Sequence, residues 1–129
     1  MQLEFALEEE DGDAYPMDLI PGEPATLDWG PMIGALLADQ RAGLSPGRTS
    51  ARFHKGLVEG ILTVARLIGQ PQVALSGGCF QNQYLSERTI ARLRQEGFRP
   101  HWHQRIPPND GGIALGQLVA AGRTTMREV

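Results

Sequence analysis

The chain has 129 residues, 41% hydrophobic and 21% charged, which is ordinary for one folded domain or one lobe of a larger one. No apolar run is long enough to cross a membrane, the first residues lack the pattern of a signal peptide, and one cysteine excludes an internal disulfide or a zinc ribbon. We therefore expect a cytoplasmic protein without a membrane partner.

Charge is unevenly distributed along the chain. Residues 1–13 hold six acids and no base, whereas residues 14–129 hold all twelve Lys and Arg against nine acids, within a net charge of −3. An excess this small argues against a nucleic-acid surface, which needs clustered bases, and fits a small anionic ligand better.

The first third of the chain predicts short elements. Residues 2–10 can form a helix, and residues 11–28, with three prolines, predict a hairpin or an irregular excursion. A second helix is predicted after Asp28, with Pro31 in its first turn and Gly43 as its stop.

The clearest helix is predicted from Ser50, as its cap, to Gly69. Its apolar side chains recur at spacings of three and four and define one expected buried stripe: Phe53, Leu57, Ile61, Val64 and Ile68. His54 lies beside this stripe and is interpreted as packing at its boundary.

The last part of the chain predicts strand, helix, strand, helix. A short strand in "QVALSGG" leads into a helix over 82–97, "FRPHWHQ" alternates like a second strand, and "IALGQLVAAG" predicts a buried helix. With the helix before them, these elements imply a parallel pair of strands. Gly77-Gly78 and Gly111-Gly112 would then face one crevice at the carboxyl ends of the strands, where backbone N–H groups favour an anion.

The first glycine loop, "SGGCFQN", matches neither a Walker A loop nor the GxSxG elbow. Gly77 and Gly78 either form a tight turn without a ligand or let a ligand approach the backbone closely. Asn82 either caps the following helix or bonds a ribose or base. Cys79 has no base beside it in sequence, so packing is favoured over a role as nucleophile.

Two further groups are candidate metal ligands. His101 and His103 share one face of the second strand, but no third ligand is close in sequence, which favours solvent-facing side chains. Asp110 stands between "PP" and "GG"; it either caps the next helix or holds a divalent metal ion at the mouth of the crevice.

The segments "LSGGCFQNQYL" and "HQRIPPNDGGIALGQ", preceded by "MQLEFAL" and "ARFHKGL", closely resemble the carboxyl-terminal part of the HypF-type hydrogenase maturation carbamoyltransferases. The resemblance implies that residues 1–129 form a single domain, the second lobe of a TsaD-like domain with the actin/Hsp70-like (RNase H-like) ATPase fold. Such a lobe is an α/β unit with a short mixed or parallel sheet and flanking helices.

The family transfers a carbamoyl group from carbamoyl adenylate, made with ATP, to the carboxyl-terminal cysteine of the acceptor protein HypE. The resemblance implies that the nucleotide contacts come from Gly77, Gly78 and Asn82, with Gly111 and Gly112 in the second loop, and that Asp110 is one ligand of a divalent metal. It implies no nucleophile role for Cys79.

The family's paired metal-binding histidines lie in another lobe, which this sequence does not contain. The resemblance therefore implies half of a cleft, inactive alone, that works with the remaining lobe and domains or pairs with a second copy through its exposed inter-lobe face. The alternatives are a lobe of a TsaD-like tRNA threonylcarbamoyl transferase, or a non-catalytic nucleotide-binding or interaction module.

Overall fold

The computed structural model describes residues 12–125, which form two small sheets and four helices. The strands are β1 (Asp18–Ile20), β2 (Thr26–Asp28), β3 (Gln72–Leu75) and β4 (Arg99–Trp102), and the helices are α1 (Gly30–Arg41), α2 (Pro46–Ile68), α3 (Gln83–Gln95) and α4 (Ile113–Thr125). Two 3₁₀ turns, Gly78–Gln81 and Asp110–Gly112, precede α3 and α4. The helix expected over residues 2–10 lies outside the described residues.

The hairpin expected within residues 11–28 is present, with β1 and β2 antiparallel. It packs on α2 at Gly60, where an added Cβ would lie 3.0 Å from both the Leu27 side chain and the sulfur of Met17. Tyr15, just before β1, is fully buried. The segment is therefore anchored to the longest helix.

Helix α2 begins earlier than expected. Its cap is Ser45, whose Oγ accepts the N–H of Arg48 at 3.3 Å, and Pro46 occupies the first helical position, where its missing N–H costs nothing. The prediction of Ser50 as the cap was wrong, since Ser50 lies buried inside the helix. Gly69, at φ +67°, ends the helix as expected.

The buried face of α2 also differs from the expected stripe. Ile68 is 62% exposed, whereas Leu62 is fully buried. The inward row therefore lies one position further along the chain and includes two polar residues: Ser50, His54, Val58, Leu62 and Ala65. With Leu75, Leu85 and Leu93 from β3 and α3, its apolar members form the core.

Strands β3 and β4 are parallel, as expected from the order of the elements, with Leu75 opposite Trp102 at their carboxyl ends. Helix α3, with Leu85, Thr89 and Leu93 inward, closes one side of this sheet. The α/β architecture with short sheets and flanking helices agrees with the predicted fold class.

Helix α4 contradicts its expected burial. Its apolar side chains are exposed, with Leu118 at 70% and Ile113 at 55%. The composition of small and apolar residues led to the expectation of a buried helix. Within the described part of the chain, no element encloses that helix. No helix among residues 12–125 is both long and apolar enough to cross a membrane.

Candidate functional site: two glycine loops at one edge of the sheet

The two glycine loops meet at the carboxyl ends of β3 and β4, as predicted. The N–H of Gly77 donates to the carbonyl oxygen of Pro108 at 2.8 Å, and a Cβ on Gly78 would lie 4.0 Å from the Cβ of Asn109. Gly77 has φ +102° and ψ 158°, a conformation open almost only to glycine. The edge at which parallel sheets bind ligands is thus formed by both loops together.

In the second glycine loop, the backbone N–H groups of Gly111 and Gly112 form hydrogen bonds within the loop. Asn109 Oδ1 accepts the N–H of Gly111 at 3.0 Å, and the N–H of Gly112 donates to the Asn109 carbonyl at 3.0 Å. An added Cβ on Gly112 would lie 2.9 Å from the Pro107 carbonyl oxygen. The turn itself therefore requires Gly112, and nucleotide binding by Gly111 and Gly112 stays a prediction.

Gly78 differs from the other three glycines of these loops. Its φ is not positive, and the sole neighbour within 4 Å of an added Cβ is the Asn109 Cβ, at 4.0 Å. Neither backbone geometry nor packing among the described residues demands a glycine there. A ligand that approaches the backbone closely would explain it.

Asp110 is exposed and lies in the second 3₁₀ turn. Asn109, not Asp110, caps this turn, because its side chain accepts the N–H of Gly111. A role of Asp110 as the cap of α4 stays a prediction. Its carboxylate can serve a divalent cation as one oxygen ligand. Among residues 12–125 no three His, Cys, Asp or Glu side chains come together to hold a metal, so Asp110 would need ligands from elsewhere.

The two histidines near β4 do not act as a pair. His103 lies beside Ser76, with Nε2 3.1 Å from the Ser76 hydroxyl, and this contact bridges the ends of the two parallel strands. His101 is exposed on the strand. His103 is exposed as well, so both side chains face solvent as interpreted.

Cys79 is exposed, so its interpretation as a small buried residue was wrong. It lies on the first 3₁₀ turn, at the rim of an apolar groove of about 410 Å³ that Leu57, Val73 and Phe80 help to line.

His54, interpreted as packing at a helix boundary, is 3% exposed and contacts the first glycine loop. Its Nε2 lies 2.8 Å from Asn82 Nδ2, while Asn82 Oδ1 accepts the N–H of Leu85 at 2.8 Å and so caps α3. Of the two roles considered for Asn82, the cap is confirmed, and contact with a nucleotide stays a prediction. The missed signal was position: His54 lies one turn after Ser50 and one turn before Val58, in the inward row.

A second cavity, of about 280 Å³, lies between α2 and α3 and is rich in charged side chains. Lys55, Glu59, Arg88 and Arg92 line it together with Tyr84, and Arg92 forms an ion pair with Glu59. Burial raises the pKa of Tyr84 above its ordinary value, so its hydroxyl remains protonated at neutral pH.

By its fold and candidate site, the protein is an α/β lobe that presents two glycine loops at one edge of a parallel sheet. Residues 1–117 match the family described as "Carbamoyltransferase, Kae1-like Domain, second subdomain". The chain is 43% identical over 107 residues to Carbamoyltransferase HypF of Synechocystis sp., covering 82% of this chain and 14% of that protein. It is 38% identical over 116 residues to Carbamoyltransferase HypF of Rhodobacter capsulatus, covering 86% and 15%.

Two solved structures are similar. Full-length HypF in the phosphate- and nucleotide-bound form matches with a TM-score of 0.89 and 33% identity, covering 95% of this chain and 17% of that one. T. kodakarensis HypF matches with a TM-score of 0.70 at 22% identity, covering 93% and 16%, and supports the fold alone. The chain therefore belongs to the HypF carbamoyltransferase family and corresponds to the second subdomain of the Kae1-like domain. It spans about one-seventh of the length of these curated relatives.

Proposed function

We propose that this subdomain supplies one side of the nucleotide cleft of a carbamoyltransferase in [NiFe]-hydrogenase maturation. ATP or carbamoyl adenylate would bind there, and the carbamoyl group would pass to the carboxyl-terminal cysteine of a HypE-type acceptor. The relatives are named carbamoyltransferases, and one solved relative is described as nucleotide-bound. These names favour this function over that of a tRNA-modifying lobe.

Gly78 is the observation that carries the proposal. Of the four glycines in the two loops, Gly77 has a positive φ, and an added Cβ would press on Asn109 Oδ1 from Gly111 and on the Pro107 carbonyl from Gly112. Gly78 alone among them has neither restriction. Its bare backbone, at the edge where parallel sheets bind ligands, fits the close approach of a nucleotide.

The residues of this chain would bind and orient the nucleotide. Gly78 begins the first 3₁₀ turn, and without a side chain it lets a ligand oxygen come close to the backbone. Asp110 would hold one side of a divalent cation, which when bound neutralises phosphate charge. Because the described residues offer no further ligand set, we propose that the chain alone is inactive.

The remaining lobe of the protein is the partner proposed for the apolar surface. The groove of about 410 Å³ beside β3 and the exposed Leu118 of α4 leave apolar area open to water. Surfaces of this kind mark contacts with another protein or domain. A second copy of the chain could cover the same surface when the rest of the protein is absent.

Calorimetric titration of the chain with ATP, with and without Mg²⁺, tests the nucleotide site. We expect the chain to bind ATP, Gly78→Val to abolish this binding and Gly34→Val to leave it unchanged. The two variants are matched, because an added Cβ at either glycine would meet no atom closer than 4.0 Å and should leave the fold intact. Gly34 lies in α1, away from both loops. Equal binding by Gly78→Val and the unmodified chain, or no binding by a folded chain under any condition, would refute the site. Saturable binding of total tRNA instead would favour the tRNA-modifying alternative.

A further inference from the structure

The side-chain amide of Asn82 lies at one end of a chain of hydrogen bonds whose two ends have fixed roles. At one end the backbone N–H of Leu85, which can only donate, lies 2.8 Å from Asn82 Oδ1. At the other end the backbone carbonyl of Ser50, which can only accept, lies 2.8 Å from His54 Nδ1. The Ser50 hydroxyl lies further from the same nitrogen, at 3.3 Å. A lone pair on Nδ1 would face the carbonyl oxygen at 2.8 Å, so Nδ1 carries the proton of the ring.

The middle contact follows from these ends. A neutral imidazole protonated at Nδ1 has a lone pair at Nε2, and Asn82 Nδ2 lies 2.8 Å from that atom. A flipped Asn82 amide would set its NH₂ against the N–H of Leu85 and its oxygen against the lone pair of His54. Both contacts would become repulsive, so the contacts select one orientation of the amide.

We propose that His54 is a positioning residue that fixes the orientation of the Asn82 amide in the first glycine loop. One Nδ2 hydrogen is committed to His54 and the oxygen to the cap of α3. The other Nδ2 hydrogen is what Asn82 offers to a ligand. Asn82 would therefore meet an acceptor oxygen, such as that of a phosphate or a ribose ring; this consequence rests on the proposed nucleotide site, whereas the orientation does not.

The surroundings of His54 hold the ring in place. It is 3% exposed and packs edge-to-face against Phe53, with centroids 5.7 Å apart, and against Tyr84, at 5.5 Å. Because His54 is shielded from water, its contact with the half-buried Asn82 amide is stronger than one made in solvent. Because His54 belongs to α2, its contact with Asn82 ties the loop before α3 to that helix.

Two variants at His54 separate positioning from packing. In His54→Gln the longer amide can place its oxygen near the position of Nε2 and accept from Asn82. In His54→Asn the shorter amide reaches only toward the Ser50 carbonyl. Both variants lose the ring and its packing, so the difference between them reports the contact with Asn82.

Nuclear magnetic resonance on the 129-residue chain tests the orientation without a ligand. Long-range ¹H–¹⁵N spectra should show His54 protonated at Nδ1 and not at Nε2. The Leu85 amide should exchange slowly in the unmodified chain and in His54→Gln, and about tenfold faster in His54→Asn. A ring protonated at Nε2, or a Leu85 amide equally protected in both variants, would overturn the proposal.

ATP titration of the same variants adds the functional readout. We expect His54→Gln to keep ATP affinity within about threefold and His54→Asn to lose about tenfold. Equal affinities in the two variants would overturn the role in ligand binding. If the unmodified chain binds no ATP, the proposed nucleotide site fails, while the resonance measurements still decide whether His54 orients Asn82.

Discussion

The N–H of Gly77 and the carbonyl oxygen of Pro108 lie 2.8 Å apart, and this bond joins the two glycine loops across the ends of β3 and β4. Gly77 can make it because its backbone adopts φ +102° and ψ 158°. The contact between the two loops therefore depends on a backbone conformation that residues other than glycine rarely adopt. The neighbouring Gly78 is free of that constraint.

The first prediction compares these two glycines. Gly77→Ala should lower the free energy of unfolding by about 1–3 kcal/mol, since alanine is strained in that conformation. Gly78→Ala should change it by less than about 0.5 kcal/mol, because an added Cβ would lie 4.0 Å from the Asn109 Cβ, an ordinary contact distance. Urea denaturation of both variants measures the difference. Equal stabilities would show that the loop readily adopts another conformation.

The order and type of the elements could be predicted from the sequence because each has a local cause. Gly69, at φ +67°, ends α2, and Asn82 caps α3. The parallel pairing of β3 and β4 followed from the helix between them. The meeting of the two glycine loops followed from that pairing in turn.

The remaining features depend on contacts distant in sequence. The bond between His54 and Asn82 spans 28 residues, and no local pattern distinguishes such a histidine from one at the boundary of the core. The start of α2 was misplaced because Ser45 and Ser50 are both serines, a residue type typical of helix caps. Only the structure shows that Ser45 makes the capping hydrogen bond. The burial expected of α4 failed because an apolar helix needs a partner surface, which its own sequence does not identify.

The second prediction concerns the packing of Tyr15 on α2. An added Cβ on Gly56 would lie 2.7 Å from the Tyr15 carbonyl oxygen and 2.6 Å from the Met32 methyl group. Gly56→Ala should therefore destabilise the protein by about 1–3 kcal/mol. Gly34→Ala, in the open surface of α1, should instead stabilise it by about 0.5–1 kcal/mol. Thermal unfolding measures both, and a stabilising Gly56→Ala would contradict this packing.

The third prediction concerns stability at high pH. Two effects raise the pKa of Tyr15 above its ordinary value of 10.0. The larger is burial, and the next is the hydrogen bond that the Tyr15 hydroxyl donates to the Asp39 carboxylate at 2.7 Å. The protonated form is thus favoured in the folded state, so this contribution is complete below about pH 10 and is lost as the pH rises through the folded-state pKa.

Tyr15→Phe should cost about 1 kcal/mol at neutral pH and reduce the fall in stability above pH 10. Asp39 keeps its ion pair with Arg52 in this variant. Tyr84 also has a raised pKa and is present in both proteins, so the difference between their curves isolates Tyr15. Urea denaturation from pH 7 upward measures it; parallel curves above pH 10 would refute the assignment.

The fourth prediction concerns acid. The Arg66 guanidinium, and then that of Arg92, lower the pKa of Glu96 below its ordinary value of 4.5. The stabilising contribution is therefore present above about pH 4.5 and is lost as the pH falls through the lower folded-state pKa. Glu96→Gln should reduce stability at pH 7, and its effect should shrink as the pH is lowered from 4.5 towards 3.

The matched control for Glu96 is Glu87→Gln. It removes the same charge from within α3, whose C-cap is Glu96, and its carboxylate accepts from the neutral Gln83 amide at 2.8 Å. Urea midpoints at both pH values, repeated in high salt, measure the two variants. If Glu96→Gln lowers the stability at pH 7 no more than Glu87→Gln does, the ion pairs of Glu96 with Arg66 and Arg92 do not stabilise the protein.

The last prediction concerns the exposed face of α4. Leu118 is 70% exposed and Val119 50%, so a concentrated solution of the chain should contain dimers that bury them. Leu118→Glu should weaken this association by about tenfold or more, because it places a charge where a leucine would be buried. Gln117→Glu adds the same charge one residue earlier, about 100° around the helix from Leu118, and should have little effect. Sedimentation equilibrium over a range of concentrations compares the three proteins, and equal association constants would place the contact elsewhere on the surface.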